Sequence, residues 1–412
     1  MIKLKNLITE GQKHNLALEY MKNLIKGTEW ENNIYLAGGA VRDELMGTEV
    51  KDLDMVADKP NGGIDFANWS TQKMGNFKDG SNPVTYPTYG TAKFNLRNII
   101  YKGQDLSEID IETVMPRAEQ YEPGSRKPSV AGASLKADAE RRDLTANSLF
   151  KNISTGEILD LTGRGMDDLK SGVARTPLDP DVTFQDDPLR MLRQVRFFSK
   201  YNWKIPLEQL KSLKRNAPHL KNISMERVQE EFTKILKTDR AAKALKLLKM
   251  VGLLKEMMPE VKLTDEKLEA IKNAKDVETK MSILFNDIDK NQIEVILKRL
   301  KYPNEVVSHI AKSVALLSFF DNGVDDKKIR QFKRVSGERA DTVLKTIDAL
   351  NKPIDIDLIR DKMNSLQSGK PPITGNDLIR MGIKPGHIFK TILDTAQEMY
   401  DEDPETPKQR YL

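Results

Sequence analysis

Asn33-Ile34-Tyr35-Leu36-Ala37-Gly38-Gly39-Ala40-Val41-Arg42-Asp43, followed nine residues later by Asp52-Leu53-Asp54-Met55-Val56, is the stretch from which the fold can be argued. Its opening apolar run predicts a short strand, and Ala40 to Met46 predicts a helix. A strand that enters a helix through two glycines lets backbone N–H groups approach a phosphate, and the helix N-terminus adds partial positive charge. Arg42 stands in the first turn, where its planar fork suits bidentate phosphate binding. Asp52 and Asp54 are two apart on a strand, so both carboxylates share one face while Leu53 and Met55 turn to a core. Adjacent carboxylates repel, and a divalent cation is the usual compensation. Hard oxygen ligands beside a phosphate pocket suit Mg²⁺, and a pair of such ions can activate a hydroxyl and steady a pyrophosphate leaving group. A third carboxylate would come from Ile109-Asp110-Ile111-Glu112, where Glu112 is preferred to Asp110.

Outward from this stretch, residues 1–165 read as mixed α/β, with further strands at Thr91–Phe94 and Ile109–Val114. From about residue 186 the apolar spacing is helical to the end, without internal repeats. The chain has 412 residues, 39% of them hydrophobic and 31% charged, which suits a globular protein of two or three domains. It has no cysteine, which excludes disulfides, thiolate zinc sites and cysteine nucleophiles. Its four histidines, His14, His219, His309 and His387, are too dispersed in sequence to suggest a histidine-rich metal site. Neither a secretory apolar core nor a membrane-length apolar run is present, so the expectation is a cytoplasmic protein with no membrane partner.

The net charge is only +5, but residues 189–255 hold 17 Lys/Arg and 5 Asp/Glu, a net +12. A basic block in an otherwise acidic chain is the footprint of a polyanion partner; a solvated lysine face is the plain alternative.

The motifs occur in an order that resembles the class II tRNA nucleotidyltransferases (CCA-adding enzymes) and bacterial poly(A) polymerases. Gly38–Asp43 and Asp52-Leu53-Asp54 are similar to the nucleotidyltransferase signature of that family. Tyr89–Ala92, Arg117–Tyr121 with Ser125–Pro128, Arg141–Asn147 and Asp186–Phe197 resemble its later motifs, as do Ser224–Val228 and Gly252–Glu260. The resemblance implies an α/β head of the polymerase-β-like type followed by an all-α neck, body and tail. The expected segments are an N-terminal helical segment at 1–30, a head at 31–165, a neck at 166–255, a body at 256–345 and a tail at 346–412.

The resemblance also implies roles. Asp52 and Asp54 would be catalytic and hold Mg²⁺, with Glu112 as the third ligand. Gly38, Gly39, Arg42, Arg142 and Asp143 would bind the nucleotide, with Asn147 near its ribose. On a helix starting at Asp186, Asp187 and Arg190 lie three apart and share a face. A carboxylate accepts from an exocyclic amino group and a guanidinium donates to a ring acceptor, so such a pair would select C and A without a template. Arg193 and Arg196 continue the stripe. Asp186 replaces the family's leading glutamate.

The implied reaction is addition of CCA to tRNA 3′ ends from CTP and ATP. Pro372–Gly386 resembles the tail of bacterial CCA-adding enzymes and favours that product over a poly(A) tail. An A-only or CC-only tRNA nucleotidyltransferase stays open, and so does a non-catalytic RNA-binding module, against which the intact Asp52/Asp54 pair argues. The oligomeric state is not legible.

Overall fold

The computed structural model describes residues 10–50, 52–75, 83–120, 129–366, 371, 373–405 and 410–411. The loop expected at Glu122–Pro128 and most of the linker expected at Ser368–Pro372 lie outside the described residues. The chain divides into two units, Met1–Ser224 with Met250–Glu256, and Met225–Lys249 with Met257–Leu412.

The first unit opens with helix α1 (Glu10–Ile25), β1 (Ile34–Ala37), α2 (Gly39–Leu45), β2 (Leu53–Ala57) and α3 (Gly62–Lys73). Strands β3 (Val84–Tyr86), β4 (Thr91–Asn95), β5 (Ile100–Tyr101), β6 (Gln104–Asp105), β7 (Asp110–Val114), β8 (Arg117–Gln120) and β9 (Ser129–Gly132) follow. Helix α4 (Leu135–Glu140), β10 (Leu149–Asn152), β11 (Ile158–Asp160) and α5 (Gly165–Ser171) complete the α/β part. Helices α6 (Pro180–Asp186), α7 (Leu189–Tyr201) and α8 (Leu207–Asn216) come next. Seven strands form one sheet in the order β11-β10-β1-β2-β7-β4-β3. Only the β2–β7 pairing is parallel; the other neighbours are antiparallel.

The alternation of β2 separates two cores. Leu53 and Met55 join Ile34, Leu36, Phe66, Ala92, Phe94 and Ile111 under α3 and α1, whose Ala17, Met21 and Ile25 are fully buried. Val56 turns to the opposite face, where Ala37, Leu135, Ala139 and Phe150 cover it. Helix α3 approaches the sheet closely at Gly63. A Cβ there would lie 2.4 Å from the Gly90 carbonyl oxygen and 2.7 Å from Val114 Cα, and Thr113 Oγ1 donates to the Gly63 carbonyl at 2.6 Å. Helix α4 covers only part of the second face, so the stretch bearing Asp54 and Glu112 stays open.

Between α6 and α7 the chain breaks at Pro188, which lacks an N–H and pushes the preceding residue out of the helical region. Asp187 accordingly has φ −140° and ψ 96°. The helix expected from Asp186 thus begins at Leu189.

The second unit is all-helical, from α9 (Met225–Leu236) and α10 (Ala241–Met250, all but its last residue in this unit) to the closing helix Ile388 occupies, His387–Glu402. Two buried lysines replace missing helix-end partners. Lys280 Nζ donates to the Leu236 and Thr238 carbonyls at 2.8 and 3.1 Å, and Lys267 Nζ donates to the Leu284 carbonyl at 2.8 Å and to Asp287 at 2.5 Å. Burial lowers the proton affinity of Lys280. No helix among the described residues is long and apolar enough to cross a membrane.

Candidate active site

The parallel register aligns Asp54 of β2 with Glu112 of β7, so the two carboxylates stand side by side on the open face. Asp52 precedes β2 by one residue and reaches the same face. The Asp54 side chain meets solvent yet is closely ringed by protein. Burial first, then Glu112, then Asp52, push its carboxyl up to about 6, and Arg142 opposes them. Among the described residues no three carboxylate or imidazole groups close into a ready-made metal cage. The site offers converging carboxylates with open sides, as suits a cation that shares its shell with substrate phosphate and water.

Gly38, at the end of β1, lies against Arg142. Its φ of +65° with ψ −125° lies where glycine is strongly favoured, and a Cβ would come within 2.9 Å of Arg142 Nη1. A Cβ at Gly39 would meet Arg42 Nη2 at an ordinary 3.5 Å, so its conformation is not demanded by crowding. Arg142 is aimed by Asp138: Nε and Nη2 donate to Asp138 Oδ2 at 3.1 and 2.9 Å, while Arg141 Nη2 takes Oδ1 at 2.5 Å. The guanidinium of Arg142 also lies 5.0 Å from the Phe150 ring centre. Asp138 is fully buried. Burial opposes its charge, but Arg142 and Arg141 hold the carboxyl below its ordinary range.

Sequence reasoning missed Asp138. The available signal was its spacing, three and four residues before two arginines on one helical turn.

A second cluster is centred on Asp143, which is 8% exposed. Its Oδ1 accepts from Asn147 Nδ2 and from the Leu144 amide, both at 2.8 Å; its Oδ2 accepts from Arg193 Nε at 2.8 Å, with Arg193 Nη2 at 2.7 Å. Burial works against this charge. Arg193, Asn147 and Arg190 prevail, and the carboxyl falls to about 2. Asn147 connects the clusters, because its backbone carbonyl accepts from Arg142 Nη1 at 3.5 Å.

Arg42 belongs to this second cluster. Its Nε donates to Asp43 at 2.8 Å and its Nη1 to Asn147 Oδ1 at 2.6 Å. Its guanidinium lies 5.2 and 5.1 Å from the Phe197 and Tyr201 ring centres of α7. The residue is 6% exposed, so much of the fork expected to face phosphate is committed within the protein. Tyr201, also missed from sequence, donates to Asp43 Oδ1 at 3.1 Å. Its aromatic spacing from Phe197 on one helical face was the signal.

The expected base-reading pair differs in geometry from the expectation. Asp187 Oδ1 accepts from the Leu189 amide at 3.1 Å and so caps the start of α7. Arg190 is 7% exposed and its Nη1 donates to the Thr183 carbonyl at 3.3 Å. The two do not share a face of one continuous helix, because Pro188 breaks it. Arg193 is partly exposed, and Arg196, half-buried, lies 4.5 Å from the Phe197 ring centre.

Residues 34–175 match the family described as "Poly A polymerase head domain", residues 202–264 that described as "Probable RNA and SrmB- binding site of polymerase A", and residues 269–400 "tRNA nucleotidyltransferase domain 2". The chain belongs to the class II CCA-adding enzyme and poly(A) polymerase family. Within that family it is 39% identical over 222 residues to tRNA nucleotidyltransferase cca2 of Schizosaccharomyces pombe, covering 52% of this chain and 46% of that one. It is 27% identical over 380 residues to the CCA-adding enzyme of Ligilactobacillus salivarius, covering 88% and 87%. The chain spans about half the length of the curated relatives it matches first. The crystal structure of the Bacillus stearothermophilus CCA-adding enzyme in complex with CTP superposes with a TM-score of 0.73 at 22% identity, covering 98% of this chain and 96% of that one. This likeness is one of fold, and it agrees with the α/β head and helical remainder expected of the family.

Proposed function

We propose that the protein adds nucleotides to RNA 3′ ends without a template, and that its product is CCA on tRNA, made from CTP and ATP with release of pyrophosphate. The observation that carries this reading is the row Asp52, Asp54 and Glu112, in which the Asp54 carboxyl is pushed up to about 6 beside Gly38 and Arg142. Such a row is deficient in positive charge, and its donor set fits Mg²⁺. When bound, Mg²⁺ would neutralise the triphosphate and sharpen the attacking hydroxyl. Asp52 and Asp54 would hold it, with Glu112 as the further carboxylate.

Arg142, fixed by Asp138, would draw the triphosphate towards Gly38 and Gly39. Asp143, Arg190, Arg193 and Arg196 are read as the nucleotide-binding group, with Arg193 the more accessible of the pair that neutralises Asp143. Arg42 and Asn147 hold that group in position rather than reaching the substrate first. The relatives named CCA-adding enzymes and the solved complex of the Thermotoga maritima enzyme with tRNA support tRNA as the acceptor.

The test supplies tRNA ending at the discriminator base with CTP, ATP or both, plus Mg²⁺, and sequences the 3′ ends. Discrete CCA ends are expected. Adenosine runs of variable length would favour the second reading, poly(A) addition, which the head and RNA-binding matches to poly(A) polymerase also suit. Addition stopping at CC, or only A after CC, would assign a partial enzyme.

A further inference from the structure

We propose that the edge of the sheet beyond Glu112 binds the terminal nucleotides of the acceptor RNA, with Lys93 taking a backbone phosphate and Tyr86 stacking on a base. This rests on the nucleotidyl-transfer reading above.

The register runs straight across the sheet. Asp54 of β2 pairs with Glu112 of β7, Glu112 with Lys93 of β4, and Lys93 with Val84 of β3. Paired residues point to one face, so all four share the open face, and Tyr86, two residues past Val84, shares it too.

In an in-line displacement the entering hydroxyl and the leaving pyrophosphate occupy opposite sides of the reacting phosphorus. The triphosphate side is marked by Gly38 and Arg142, at the end of β1. The hydroxyl then enters from the side of β7, β4 and β3. Lys93 is the single basic residue of those three strands. It lies two strand spacings from Asp54, roughly 10 Å, within reach of a nucleotide attached to the reacting end.

The side chains there are available. Lys93 Nζ is 2.7 Å from Asp110 Oδ2, with both groups about half exposed. Such a surface pair contributes little and opens readily to a phosphate. Strand β3 is exposed along its whole length, with Val84 56% and Tyr86 49% exposed. An uncovered tyrosine beside a lysine on a reactive face matches the way single-stranded RNA is gripped, by stacking on aromatic rings and by cations along the backbone.

The test uses the full chain, a tRNA lacking CCA and one ending in CC, with KM for RNA and for CTP and ATP measured separately. Tyr86→Ala should raise KM for both RNAs roughly 5- to 100-fold. Tyr86→Phe, which keeps the ring, should stay within about twofold. Lys93→Ala should raise the RNA KM and flatten the slope of log affinity against log salt by about 0.7. KM for CTP and ATP should hold, as should melting temperature. An unchanged RNA KM in folded, active variants would overturn this proposal alone, and equal rises for RNA and nucleotides would overturn it as well. An inactive parent protein would instead remove the nucleotidyl-transfer reading.

Discussion

The Asp143 carboxylate receives Arg193 from fifty residues further along the chain, Nε at 2.8 Å and Nη2 at 2.7 Å, and thereby ties the loop after α4 to helix α7. Its other oxygen holds Asn147, which in turn holds Arg42. Arg193 directly, and Arg42 through Asn147, are therefore held by one internal carboxylate.

Replacing Asp143 should separate positioning from chemistry. Asp143→Ala leaves Arg193 without its partner and costs about 2 kcal/mol of stability, toward the low end for a charged hydrogen bond because Arg193 is one-third exposed. KM for nucleotides should rise more than kcat falls. The pH sign follows from the lowered carboxyl: its contribution is present above about 4, where the unfolded side chain ionises, and is lost as pH falls towards about 2. Melting curves of parent and variant should therefore differ at pH 7 and converge near pH 2.

Asp54 should show the opposite sign. Its folded-state carboxyl titrates near 6 and its unfolded one near 4, so stability falls as pH rises through that window and stays lowered above it. Asp54→Asn should melt higher than the parent at pH 7.5 without divalent cations, and equally at pH 4. Added Mg²⁺ should raise the parent's melting temperature and leave the variant's unchanged. Nucleotide incorporation should drop by at least tenfold in Asp52→Ala and Asp54→Ala while RNA binding persists.

Base choice provides a sharper test because Asp187 caps α7. If Asp187 also reads the pairing edge, Asp187→Ala loses discrimination against UTP and GTP, roughly 10- to 150-fold. Asp187→Asn retains a capping oxygen and separates the roles. Equal slowing with all four nucleotides in Asp187→Ala, rescued by Asn, would assign the residue to capping alone. Competition assays with mixed nucleotides measure this directly.

Lys243 and Lys246 are exposed on α10, opposite buried Ala241, Ala244, Leu245 and Leu248. If they touch RNA phosphates, Lys243→Glu/Lys246→Glu should flatten the salt slope by about 1.4–1.8 and raise KM for tRNA, not for ATP. A titration from about 50 to 300 mM salt measures it; an unchanged slope would make them a solvated face.

The local sequence was enough for the turn at Gly38-Gly39, the same-face spacing of Asp52 and Asp54, the strands that flank them and the helical remainder. Period and glycine conformation are properties of a few consecutive residues; the break at Pro188 is equally local, yet the helix expected from Asp186 ran through it. The motif order was enough for the family. The tertiary fold alone decided that Glu112 stands in register with Asp54, because strand pairing joins residues 58 positions apart. It alone withdrew Arg42 into a clasp with Asn147 and Tyr201, and made Asp138 and Asp143 the anchors of the arginines. A guanidinium in a sequence carries only its charge and its five donors. Whether those donors face a substrate or an internal carboxylate depends on which distant side chains share its burial, and packing settles that.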